Sequence, residues 1–189
     1  MLTTFVWIHD RIFEVIQRFF GDWFLGLFAR LVFASVLLQF FWNSALTKVV
    51  NPRTGADGFF DYFTLQDNAM AQIAPKAFEA VGYDASQLGL GYWLIGYAGA
   101  YAEFVLPLLI VLGLCTRLAS IGMIGFIAVM SWVDVTGHGA DETTIGAPFD
   151  RIADSIIADQ RLLWLTPLVY LILRGAGTVS LDGVLRTFR

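Results

Sequence analysis

Trp23–Leu46 reads WFLGLFARLVFASVLLQFFWNSAL, a largely apolar run with one permanently charged side chain, Arg30, inside it. It is long enough to cross a bilayer, for which about 20 residues suffice. A second run of that kind, Tyr92–Leu114, holds Glu103. An ionisable group within a span costs about 2.5–3.5 kcal/mol on insertion scales, so it faces a partner or a cavity. The opposite signs of Arg30 and Glu103 make each the other's expected partner. That pairing predicts a polar, protonatable centre inside a small bundle of membrane helices.

Composition agrees with a membrane chain. The 189 residues are 57% hydrophobic and only 15% charged, against about 25% charged in a soluble domain. A formal net charge of −4 argues against nucleic acid as a partner, because no basic stripe is available to neutralise phosphates. The single cysteine, Cys115, excludes an internal disulfide, a CxxC redox pair and a cysteine-rich metal site. His9 and His138 both fall outside the spans, which removes paired-histidine haem ligation within the bundle. The mixture of charge and bulky apolar residues in Met1–Gly21 does not read as a cleaved signal peptide.

Four spans are expected at about 23–46, 92–114, 118–133 and 160–179, the third extending a few residues at each end. Before them, Phe5, Ile8, Ile12, Val15, Ile16 and Phe19 line one side of a helix, with Asp10, Arg11, Glu14, Gln17 and Arg18 on the other. Such an amphipathic helix suits a membrane interface or a face of the bundle. The fold class is therefore all-α, a four-helix transmembrane bundle (23–189) with an amphipathic interfacial helix at 1–22. Asn51-Pro52 breaks the first span. The long connection that follows, with Phe59, Phe60, Tyr62, Phe63 and Leu65, is too apolar for a free linker. A short helix at Ala69–Val81, ended by Gly82, is expected to fold over the mouth of the bundle.

Four spans put both termini on one side. Arg11, Arg18, Arg117, Arg174, Arg186 and Arg189 crowd little sequence there, so the positive-inside rule makes that side cytoplasmic. Gly96-x-x-x-Ala100 and Gly122-x-x-Gly125 offer close helix approach.

Arg30 lies roughly 10 Å, and Glu103 roughly 16 Å, in from the terminal side, within reach of one another. Pro107 removes a backbone donor from the Glu103 carbonyl. The pair either fixes helix register or forms a site for a polar headgroup, a quinone oxygen or a transferred proton. Lys48, Asp134, Asp159 and Arg161 form a second candidate cluster at the opposite mouth, read either as interfacial snorkelling or as a pocket lining. Trp42 and Trp93 are the tryptophans placed to stack on a bound ring. The others belong to an interfacial belt. Gly137–Glu142, with His138 and two carboxylates, lacks metal-ligand spacing and reads as an acidic turn, so no metal ligands are assigned.

Several stretches together resemble the DoxX-like family of small four-helix membrane proteins. They are Arg30; Phe41-Trp42-Asn43-Ser44-Ala45-Leu46-Thr47-Lys48; Ala102–Pro107; Leu112–Leu118; Asp159–Trp164; and Gly175–Asp182. They run in family order, and Arg30, Lys48, Glu103 and Arg117 match its recurring charged positions. The N-terminal helix and enlarged loops depart from its shortest members. The family takes its name from a small subunit of a complex that oxidises sulfur compounds and passes electrons to quinone. The resemblance implies a bacterial-type inner-membrane protein, quinone as a cofactor, and a partner protein of a redox or metal-handling system. No self-contained catalytic motif is present, so the readings are an accessory oxidoreductase subunit, a membrane anchor or assembly factor, and a small transporter.

Overall fold

The computed structural model describes residues 2–21, 23–50, 55 and 64–188. Arg53, Phe59, Phe60, Tyr62, Phe63, Arg189 and the Asn51-Pro52 break lie outside the described residues. Among those described the chain is all-α, with one isolated antiparallel bridge, Val49 to Leu65. Four helices are long and apolar enough to cross a membrane.

Helix α1, Leu2–Phe20, precedes the bundle. Its described side chains from Thr3 to Phe20 are all exposed. Phe5, Ile12, Val15 and Phe19, the apolar stripe of its amphipathic pattern, are among them. Helix α2, Phe24–Leu46, is the first span and passes through a π turn at Ala34–Leu38.

The chain leaves at Lys48 and returns to it, because the Gln66 amide donates to the Lys48 carbonyl (2.8 Å) and the Val50 amide to that of Thr64 (3.0 Å). Two short helices follow, α3 (Ala69–Ile73) and α4 (Pro75–Ala80). One helix was expected here. Pro75 divides it, since the residue before proline is driven out of the helical region and Ala74 adopts φ −141°, ψ 62°.

Helix α5, Leu90–Leu112, is the second span and ends at Gly113, whose φ of +70° favours glycine. A tight turn leads into α6, Thr116–Thr136, the third span. One-turn α7, Glu142–Ile145, lies in the acidic loop. Helix α8, Ile156–Arg174, is the fourth span and opens with a π turn at Ile156–Gln160. It begins and ends earlier than the expected 160–179. Ser155 caps its start by accepting from the Asp159 amide, and Gly175 at φ +83° stops it. Helix α9, Leu181–Thr187, closes the chain.

The spans form a ring in which α2 and α6 each adjoin α5 and α8. Phe33, Leu37, Phe41, Ile110, Met123, Ile127, Leu168 and Leu171 fill its centre. A second core lies beside the first half of α5, where Val49, Leu65, Met70, Phe78, Ala85 and Leu88 pack with Ala100. The Gly96–Ala100 face therefore receives the returning loop and not another span. A Cβ on Gly96 would come within 2.9 Å of both Leu65 and Met70. Gly122 does meet a neighbouring span, at Leu106, whereas Gly125 faces open space.

Candidate functional site

Glu103 is buried, at 3% exposure, and its partner is Lys48. The Lys48 ammonium stands 3.0 and 2.9 Å from the two carboxylate oxygens. Ser44, one turn before Lys48, completes the cluster. Its hydroxyl accepts from Lys48 Nζ (2.7 Å) and donates to Glu103 Oε1 (3.3 Å). Lys48 also donates to the Ser44 carbonyl at 3.2 Å.

The expected Arg30–Glu103 pair does not form. Arg30 Nη1 donates to the Val111 carbonyl (3.1 Å), and Nη2 donates to that of Val179. Side-chain direction is the physical reason. A helical side chain leans toward its own helix N-terminus. On α2, Arg30 therefore points back to the terminal face, while Lys48, in the turn just past α2, folds back over the Ser44 carbonyl and hydroxyl. On the antiparallel α5, Glu103 leans up toward the mouth and so meets Lys48.

A second ion pair, half-buried, lies across the bundle. Arg161, 6% exposed, bonds Asp134 through Nη2 and the Ser131 hydroxyl through Nη1 (2.8 Å). Its Nε is buried with no hydrogen-bond partner among the described residues. Asp159, grouped with these residues from sequence, turns away. Its carboxylate accepts from the Ser155 amide (3.0 Å) and hydroxyl (2.6 Å), and so caps its own helix. Lys48 belongs with Glu103, not with Asp134 and Arg161, although both pairs face one space.

That space is a cavity of about 330 Å³. Residues spaced i, i+4, i+8 build its walls: Phe40, Ser44 and, in the turn just past α2, Lys48; Ile95, Gly99 and Glu103 on α5; Phe126, Met130 and Asp134 on α6. This spacing places side chains in a column along one helix face. Arg161 enters from α8, Gln72 and Ile73 from α3, and His138 from the α6–α7 loop. Two neutral ion pairs therefore flank a mainly apolar hollow. The His138 ring sits 3.2 Å from the Gln72 carbonyl oxygen and ties the α6–α7 loop to α3.

Trp42 and Trp93 do not line this cavity. Trp42 Nε1 donates to the Phe104 carbonyl (3.2 Å), clamping α2 to α5, and Trp93 packs against the second core. Sequence reasoning missed Ser44, Ser131 and Gln72. Ser44 was signalled by its place one turn before Lys48. Gln72 has no signal of that kind, because α3 reaches the site only through the long connection. Among the described residues no three His, Cys, Asp or Glu side chains gather as a metal site. Asp141 instead caps α7, accepting from the Thr144 amide (2.7 Å).

Residues 25–136 match the family model described as DoxX. The matched stretch carries Lys48, Glu103 and Asp134, with Arg161 beyond it on α8. No curated protein and no solved structure matches the chain.

Proposed function

This chain belongs to the DoxX family of membrane proteins, and on that premise we propose that it is the membrane subunit of a quinone-linked redox or redox-protection system. The cavity would hold the quinone headgroup. One observation carries this reading: a mainly apolar hollow within the bundle bears a buried ion pair, Lys48–Glu103, on one wall and a half-buried one, Arg161–Asp134, on another.

The residues fit such a ring. Phe40, Phe126, Ile95 and Met130 supply apolar surface for it, as small-molecule sites require. Lys48 and Arg161 offer donors on separate walls, and Arg161 Nε meets no acceptor among the described residues. When bound, a quinone supplies two-electron redox chemistry. This chain's residues bind it and orient its oxygens. The electron-transfer centre belongs to a partner protein, and the termini face the cytoplasm of a cell with this protein in its inner membrane.

A second reading is a membrane anchor or assembly factor. It is favoured by the completeness of the Glu103 shell, in which Lys48 and Ser44 already satisfy the carboxylate.

The test is the quinone content of gently solubilised protein, comparing wild type with Glu103→Gln and Arg161→Gln. Quinone retained by wild type and depleted in both folded variants supports the redox reading. Quinone absent from wild type purified with its partners attached supports the anchor.

A further inference from the structure

A separate cleft of about 340 Å³ opens on the terminal face between the start of α6 and α9. Its floor is the buried Gly175. A Cβ built there would stand 3.7 Å from Arg117 Nε and 3.8 Å from Arg186 Nη2. Two guanidinium groups, one from α6 and one from α9, thus converge on one point. Two like charges on one cleft favour an anion between them.

Among the described residues neither arginine is in an ion pair, the four pairs lying elsewhere. Arg117 makes one bond, from Nη2 to the Leu173 carbonyl at 3.3 Å. Asp182 is the single carboxylate lining the cleft. Its oxygens are directed at the start of α6, accepting from the Cys115 amide (2.8 Å), the Thr116 amide (2.9 Å) and the Thr116 hydroxyl (2.8 Å). Asp182 draws Arg186 electrostatically, one turn along α9, yet the lining still carries two positive charges against one negative. Leu118 and Leu185 complete the cleft and are 72% and 54% exposed. They put exposed apolar surface beside the two charged forks.

We propose that Arg117 and Arg186 form a binding site for a phosphate group at the membrane surface. The planar fork of arginine matches phosphate oxygens in pairs, which a lysine ammonium cannot do. The phosphate comes from an anionic phospholipid headgroup or from free phosphate.

Native mass spectrometry of the full chain in mild detergent with added phosphatidylglycerol tests this. Wild type should retain the lipid about tenfold better than Arg117→Gln or Arg186→Gln, the size expected for losing a hydrogen bond to a charged group. Arg117→Lys keeps the charge but not the fork and should bind at an intermediate level, which separates loss of the site from loss of fold. Arg174→Gln removes the same charge from the same face, outside this cleft, and should bind as wild type. Release of the lipid by millimolar inorganic phosphate assigns free phosphate as the source, and retention assigns the lipid. Equal binding by wild type, Arg117→Gln and Arg186→Gln overturns the site. So does an equal loss in Arg174→Gln, which would mean diffuse surface charge.

Discussion

Lys48, Glu103 and Ser44 form one electrostatic unit, and removing part of it is worse than removing all of it. Taking away either charge leaves the other buried alone, a loss of about 3–5 kcal/mol. Thermal or denaturant unfolding in detergent should therefore show Lys48→Met and Glu103→Gln each strongly destabilised. The double variant should recover much of the loss; strictly additive losses would contradict the pairing. Ser44→Ala should cost about 1 kcal/mol, the worth of a typical hydrogen bond. Arg30→Gln loses bonds to the Val111 and Val179 carbonyls and should destabilise the terminal end while sparing the cavity. The presence of Arg30, Lys48 and Glu103 at meaningful depths was legible from the sequence. The partner choice was not, because distance along the helix axis was weighed without the lean of each side chain.

At the scale of elements, the start of α6 depends on a residue 67 positions away, as Asp182 receives the Cys115 amide. Burial pushes the Asp182 carboxyl up, but the hydrogen bonds from Thr116 and Cys115 outweigh it and hold the group below the usual carboxylate range. A lowered native value means that stability is complete above the unfolded pKa and fades as pH falls through the native one. Asp182→Ala should cost about 1–2 kcal/mol at neutral pH, as loss of a helix cap does. Unfolding curves should show that the gap between variant and wild type narrows on acidification below the ordinary carboxylate range.

The opening of α2 depends on Gly26, where a Cβ would lie 2.5 Å from the Ala176 carbonyl oxygen. Gly26→Leu should destabilise by about 1–3 kcal/mol, as overpacking does. The four spans were readable from hydropathy. The capping of α6 by Asp182 and the division of α3 from α4 were not equally so. The first is a long-range contact, and the second turns on the local effect of Pro75.

For the whole molecule, the staggered ring of α2, α5, α6 and α8 produces the hollow. Helix α2 ends near the middle of α5, where Ser44 meets Glu103, and the returning loop packs beside the part of α5 beyond it. The four-span architecture and the mouth residues Lys48, Asp134 and Arg161 were visible in the sequence as types and approximate depths. The cavity was not, because it needs the three i, i+4, i+8 stripes to face one another and Gln72 to fold in above them.

The measurement that bears most directly on this account is photocrosslinking with a light-activated quinone analogue in reconstituted membranes, with the labelled residues mapped by peptide mass spectrometry. Labels on cavity residues such as Phe40, Ile95 and Met130, competed away by unlabelled quinone, are predicted. Labels spread over outward-facing residues such as Leu163 and Leu173, unaffected by competitor, would contradict a quinone site within the bundle.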